Sequence, residues 1–456
     1  MTNSTIQGPA QRKPLDPMAR RALLAGVVGT LIEWYDYGLY GAASALVLPT
    51  LFFPGNDPTA SSLAAFATFA VGFFARPVGG LIIANFGDRF GRKPVLIITI
   101  VLMGAATTLM GLLPTQEQIG TWAVVLLVVL RFVQGAGAGA ELAGAMTLVT
   151  EYAPESRRAF VTAIPNGAAA GGTLLATLSF LAVSALPETA LLSWGWRIPF
   201  LLSAVLFAVA FYIRQHVEET PEFERAKAEA VRRNAEERVP IIQLIKAQPR
   251  EILLGFLSGT ALNVVFYTLM TFMASYMTND LGLSRAESLV VIAITALVGF
   301  GSAPIMGNLA DRIGPTTSYQ YGAIGLIIVA FPLFAAMQTG NLFIIIVAMA
   351  VTAFFVYGAT IAGQGAFLSG LFPTKFRFSG IAVTRELNTV AISGPTPFIA
   401  VALVELLDGA PWLVATYMVV GGLVTAISVT VLSRRHTAQT SADPESSPHN
   451  DLKGVQ

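Results

Sequence analysis

Twelve runs of about 20 mainly apolar residues, parted by short polar turns, decide what this chain can fold into. A hydrocarbon layer about 30 Å thick is crossed by a helix of roughly 20 residues. The runs fall at 22–48, 60–85, 95–113, 122–146, 160–184, 197–215, 252–278, 287–309, 318–337, 341–367, 379–406 and 411–432. Unpaired backbone N–H and C=O groups are costly in lipid, so each run is predicted to be an α-helix. Composition points the same way: of 456 residues, 54% are apolar and 12% charged, where a soluble domain carries about 25% charged residues. The predicted fold class is all-α and integral to the membrane. The first run is far longer than a signal-peptide core and is expected to stay in the bilayer.

Positive charge orients the spans, because cytoplasmic loops collect Lys and Arg. Four lie before residue 22, three in the turn at 86–94, two at 151–158 and eight between Arg214 and Arg250. Arg312 adds one, Lys375 and Arg377 two, and the tail three, so 23 of the 28 fall on one side. Both termini are therefore predicted to be cytoplasmic, in a multi-pass protein of the plasma (cell inner) membrane. The net charge of +1 offers no bulk attraction for nucleic acid. With no Cys and three His, disulfide frameworks, thiolate zinc sites and haem attachment are excluded, and no metal site or cofactor is expected. No Walker-type phosphate loop is present, so ATP is not the expected energy source.

The long polar stretch between spans six and seven divides the chain into a cytoplasmic arm (1–21), a six-helix bundle (22–215), a cytoplasmic linker (216–251), a second six-helix bundle (252–432) and a disordered tail (433–456). The halves echo one another. Asn85-Phe-Gly-Asp88-Arg89-Phe-Gly91 after span two recurs as Asn308-Leu-Ala-Asp311-Arg312-Ile-Gly314 after span eight, and Pro154 and Arg158 recur as Pro373 and Arg377. Repeated halves of this kind suit a secondary transporter, in which two bundles rock about a midplane site.

NFGDRFGRKP resembles the signature loop of the major facilitator superfamily. GTLIEWYDYGLYG (29–41), FARPVGG (74–80), RFVQGAGAGAELAGA (131–145), WGWRIPF (194–200) and LFPTKFRFSG (371–380) resemble its metabolite:proton symporter branch, whose carriers take shikimate, proline and betaine, alpha-ketoglutarate or citrate. The resemblance implies two pseudo-symmetric six-helix bundles. It also implies a cytoplasmic gating layer of Asp88, Arg89, Arg92, Lys93, Glu141, Arg157, Arg158, Asp311, Arg312 and Arg377. The chain departs from the family at Thr384-Arg385-Glu386, a part of span eleven that relatives usually leave uncharged.

An ionisable side chain at mid-bilayer costs at least about 2.5 to 3.5 kcal/mol, so each one kept there asks for a reason. Glu33 and Asp36, three residues apart, share a face of span one. A rise of about 1.5 Å per residue brings Asp36 and Arg131 to similar depths, where the two could meet. Desolvation favours a neutral carboxyl and an adjacent Arg favours the ionised one, so a movable Arg contact would switch protonation. Asp36 and Glu33 are thus the candidate proton-coupling groups. Arg131, Arg76 and Arg385 are candidate carboxylate hosts, and Arg385 and Glu386, as neighbours, cannot both face a cavity squarely. Tyr37, Asn166, Asn263, Tyr267, Tyr357 and Gln364 are uncharged candidates for substrate contact. Pro165, Pro304, Pro332, Pro395 and Pro397 are candidate kinks.

These residues predict import of a small organic acid, shikimate-like or dicarboxylic, together with a proton by alternating access. Sodium is left open as the coupling ion, and a monomer is expected. Two alternatives stand beside this: uptake of a zwitterion such as proline or betaine, and proton-driven export. No enzyme is expected, since no His falls within a span.

Overall fold

In the computed structural model, the described residues are 17–90, 92–139, 157–216, 241–372 and 374–442, and among them there is no strand. Twelve helical spans follow in chain order. The first half holds α1 (Pro17–Leu46), α2 (Pro58–Phe90), α3 (Arg92–Leu112), α4 (Thr121–Ala138), α5 (Arg158–Ser184) and α6 (Arg197–His216). The second holds α7 (Pro249–Asn279), α8 (Arg285–Ile313), α9 (Pro315–Met337), α10 (Leu342–Leu371), α11 (Ser379–Glu405) and α12 (Trp412–Ala442). Each apolar run of the sequence falls on one of these helices over its described residues; positions 140–146 of the fourth run lie outside them.

Local chemistry sets several helix ends. Ser284 and Glu287 form a reciprocal capping box that starts α8, and Asn341 caps α10 through its side-chain oxygen. Gly314, at φ +94°, ends α8 and turns the chain straight into Pro315, which occupies the first turn of α9. That conformation favours glycine.

Large apolar side chains such as Trp122, Val205, Ile328 and Phe355 point outward, as lipid allows and water would not. Between helices, small residues permit contact at the backbone. A Cβ on Gly135 of α4, or on Gly139 just past its end, would overlap the carbonyl oxygens of Gly72 or Arg76 on α2, and one on Gly172 of α5 would strike the backbone of Leu31 on α1. The Gly-Ala alternation at 135–139 is thus a packing surface that seats α2 against α4.

The candidate kink prolines do not coincide with most of the irregular turns. Helices α5, α8 and α9 continue through Pro165, Pro304 and Pro332. Wide π-helical turns stand instead at Thr268–Phe272 in α7, Thr352–Tyr357 in α10 and Thr389–Ser393 in α11. Only the last adjoins prolines, Pro395 and Pro397. A π-turn inserts one residue without removing a backbone donor, so it leaves no mark like Pro in the sequence.

Contacts between the halves run along α5 with α8, α2 with α11, and α1 with α7. Gly307 of α8 lies against the Phe160 backbone of α5, and Gly394 beside α11's π-turn lies against the Phe73 ring of α2. These seams enclose the ionisable side chains singled out in the sequence.

Candidate transport site

The first polar group is contained within the first half. Asp36 of α1 is fully buried. Its Oδ2 accepts a 2.8 Å hydrogen bond from Thr107 Oγ1 on α3, and Thr107 accepts a 2.7 Å bond from Gln134 Nε2 on α4. Gln134 Oε1 in turn accepts from Arg131 Nη1. Asp36 and Arg131 thus occupy one network, as their depth predicted, but Thr107 and Gln134 stand between them. The reason is local: Gln134, three residues along α4 from Arg131, inserts its amide into the gap while the guanidinium turns to other partners. Arg131 Nη2 donates to the Phe69 carbonyl at 3.3 Å, and the guanidinium carbon lies 4.2 Å from the Tyr40 ring centre, 5.0 Å from Tyr37 and 5.2 Å from Phe69. The rings stabilise the cation in place of water. Asp36 Oδ1 has no hydrogen-bond partner, which leaves one carboxylate oxygen able to carry a proton.

The second group crosses between the halves. Glu33 turns toward α2, where Arg76 Nη1 donates to its Oε1 at 3.1 Å. On the other side of the same guanidinium, Nε lies 3.6 Å from Glu386 Oε2 on α11. Arg385 lies within electrostatic range of Glu386, Arg76, Glu33 and Tyr319. Four charges from α1, α2 and α11 therefore gather around one point, with equal numbers of each sign. Glu33 and Asp36 leave the same helix face but serve different networks, because Glu33 reaches α2 and Asp36 reaches α3.

Above and between these groups lies a layer of rings. Tyr37 and Phe73 have centroids 4.9 Å apart, Phe73 and Tyr267 5.5 Å, Trp34 and Phe266 5.0 Å, and Phe266 and Tyr357 5.4 Å. Rings from α1, α2, α7 and α10 thus meet across the seam, which brings together three of the predicted residues, Tyr37, Tyr267 and Tyr357. Asn166 of α5 keeps a buried Nδ2 without a hydrogen bond. Asn263 is drawn away to Asn388, whose own amide donates to the Phe256 carbonyl at 2.7 Å, so this pair ties α7 to α11. Gln364 donates to the Tyr319 hydroxyl at 3.5 Å.

Contacts also join the halves near both ends of the spans. At the predicted cytoplasmic end, the Asp311 carboxylate of α8 accepts from Ala159 N at 2.8 Å and Phe160 N at 3.1 Å, capping the first turn of α5 across the seam. Arg157 stacks over the Phe160 ring at 4.7 Å, Arg158 begins α5 and Arg312 is exposed beside Asp311. Glu141 lies outside the described residues, as do the side chains of Asp88, Arg89, Arg92, Lys93 and Arg377. At the opposite end, Arg285 pairs with Glu188 at 3.1 Å and Thr59 donates to Glu405 at 2.9 Å. Just past α7 there, Asp280 reaches the surface, and its carboxyl pKa is pushed up to about 6, first by partial desolvation and then by the neighbouring Glu405 carboxylate.

A multi-pass helical protein whose two halves share a buried charge cluster, with contacts across the seam near both span ends, has the form of a membrane transporter. The comparisons agree. The Major Facilitator Superfamily profile matches residues 26–393, and the chain belongs to that superfamily, a family of transporters and not of enzymes. The shikimate transporter of Escherichia coli (strain K12) is 36% identical over 420 residues, covering 91% of this chain and 94% of the relative. The proline/betaine transporter of the same organism is 33% identical over 430 residues, covering 92% and 85%. A solved D-xylose-proton symporter shares the fold, with a TM-score of 0.69 at 18% identity, covering 88% of this chain and 96% of that one. Its fold is the twelve-helix arrangement read from the sequence.

Gln134, Thr107 and Asn388 are polar members of these networks that the sequence reading passed over. Gln134 could have been found from its three-residue spacing to Arg131 inside an apolar run. Thr107 is one of several hydroxyls in its span and carries no such signal.

Proposed function

We propose that this protein is a symporter that carries a small organic acid with one proton into the cell, across the plasma membrane, as a monomer with both termini cytoplasmic. The observation that carries this reading is charge balance. Among the described residues, the two buried networks hold Glu33, Asp36 and Glu386 with Arg76, Arg131 and Arg385, three against three. An acid anion adds one negative charge to a neutral interior, and a net charge there costs about 2.5 to 3.5 kcal/mol or more. One proton cancels it. Asp36, with one oxygen unbonded, is the group best placed to take that proton, while Arg76 and Arg385 at the seam are best placed to meet a carboxylate.

The second reading, a zwitterion such as betaine, is favoured by the ring layer. Trp34, Tyr37, Phe73, Tyr267 and Tyr357 gather at the seam from both halves, and quaternary ammonium groups are held by aromatic rings. The two readings differ in energetics. A monocarboxylate anion such as shikimate moving with one proton is electroneutral, so only the pH gradient drives it, about tenfold per pH unit; a dicarboxylate dianion needs two protons for the same. A zwitterion moving with one proton carries charge, and 100 mV adds about 2.3 kcal/mol, or roughly fortyfold.

The test is uptake by the purified protein in liposomes with shikimate, dicarboxylates, citrate, proline and betaine, imposing a pH gradient and a potassium-diffusion potential separately. Acid uptake driven by the pH gradient and indifferent to potential supports the first reading. Betaine or proline uptake driven by potential replaces it with the second.

A further inference from the structure

Arg76 is held by two carboxylates in unequal ways. Its contact with Glu33 is within its own half, is a hydrogen bond of 3.1 Å, and involves a carboxylate side chain that is 7% exposed. Its contact with Glu386 reaches across the seam, spans 3.6 Å and involves a side chain that is 24% exposed. Neither Arg76 Nε nor Glu386 Oε2 has a hydrogen-bond partner. The Glu386 contact is thus Coulombic only, with a donor and an acceptor facing each other unsatisfied. A free carboxylate that came within about 2.9 Å of Nε would make the charge-assisted hydrogen bond that Glu386 does not make. Glu33, already bonded and more deeply enclosed, is the worse candidate for displacement.

We infer that Glu386 is a built-in stand-in for the substrate carboxylate, occupying the Nε side of Arg76 in the empty carrier and leaving it when the acid binds. This deepens the organic-acid reading and rests on it. Two consequences follow from the charges. Glu386 competes with the substrate, so it weakens binding. It also keeps the empty cluster of Glu33, Arg76, Arg385 and Glu386 neutral and joins α2 to α11, which the empty carrier needs if it is to return across the membrane without substrate. A carrier lacking this carboxylate would hold an excess positive charge at its centre on every empty return, and would run well only when substrate occupies Arg76 in both directions. Glu386 is in this sense a positioning residue for Arg76 that also sets affinity.

The experiment uses the full chain in liposomes, with radiolabelled shikimate as the probe, comparing wild type, Glu386→Gln and Glu386→Asp for three quantities: Kd, net uptake down a pH gradient, and exchange into shikimate-loaded liposomes. For Glu386→Gln the expected Kd is about fivefold lower, the change set by losing a partly exposed ion pair. Net uptake should fall about tenfold or more while exchange persists, because only the empty return is impaired. Glu386→Asp, shorter by one methylene, keeps the charge further from Arg76 and should fall between the two in every measurement, which serves as the test if the Gln variant does not fold. An unchanged or raised Kd, or net uptake that survives in step with exchange, overturns the inference while leaving the organic-acid reading intact. Wild-type protein that neither binds nor carries shikimate or any other acid of the panel overturns both.

Discussion

Replacing Asp311 with Ala should open the predicted cytoplasmic end of this carrier. Its carboxylate accepts from two backbone N–H groups, at 2.8 and 3.1 Å, in the first turn of a helix belonging to the other half. A side-chain cap of this kind contributes about 0.5 to 2 kcal/mol. The bond exists only when the α5 and α8 ends are together, so its whole value biases the balance between closed and open. At about 1.4 kcal/mol per factor of ten, Asp311→Ala should raise the open population about tenfold. Asp311→Asn keeps an acceptor and loses the charge at the helix N-terminus, worth about 0.3 to 1 kcal/mol, so it should raise it at least about two- to fivefold. The chain has no Cys, which makes a single introduced thiol a clean reporter. Ala163 is fully buried in the small cluster with Ala159, Met306, Ala310 and Ala362 at this end. The labelling rate of Ala163→Cys by a membrane-impermeant maleimide should rise in the order wild type, Asn, Ala. Equal rates in all three would refute the assignment of Asp311 as a latch between the halves.

Asp36→Asn should abolish accumulation driven by a pH gradient while sparing exchange in liposomes, and undiminished accumulation would remove Asp36 from coupling. Gly135→Ala places a methyl group on the Gly72 carbonyl oxygen, so α2 must move off α4 along with Arg76. The expected result is loss of the monodisperse peak in size-exclusion chromatography, and a normal peak would contradict the close approach. Asp280 gives a pH dependence outside the spans. Its carboxyl, partly desolvated though it reaches the surface, is pushed up to about 6 by that desolvation and by Glu405, above its ordinary value, so its contribution to stability is present in acid and is lost as the pH rises through about 6. Asp280→Asn should therefore raise Tm at pH 8 relative to wild type, with the gap closing by pH 4. A gap that is the same at both pH values would show that Asp280 does not titrate in this window.

Much of the fold was legible because each span announces itself. Apolar runs of the right length can only be helices in lipid, and the Asp88 and Asp311 echoes mark the repeat. The site was legible in a narrower sense. The cost of a charge in a span singled out Glu33, Asp36, Arg76, Arg131, Glu141, Arg385 and Glu386; Glu141 lies outside the described residues, and the other six fall into two networks. The fixed helical rise puts Asp36 and Arg131 within reach of one network, and one network holds both. It could not say what lies between them, because rise fixes height and not the rotamer of a long Arg side chain that has four rings to choose from.

Pairing across the seam was illegible for a different reason. Arg76 and Glu386 are separated by more than 300 positions, and nothing in either helix alone specifies the other as a partner. Sequence periodicity shows which residues share a helix face, but partners on other helices are set by how the two halves dock, and in a transporter docking is the quantity that changes. The unequal grip on Arg76 follows from that. Glu33 and Arg76 belong to the same half, so their full hydrogen bond does not oppose the parting of the halves. Glu386 belongs to the half that must part from Arg76, and a bond as strong as that of Glu33 would hold the halves together. A contact of 3.6 Å without a hydrogen bond neutralises charge in the empty carrier yet yields to a substrate carboxylate, and those are the two properties that alternating access requires of it.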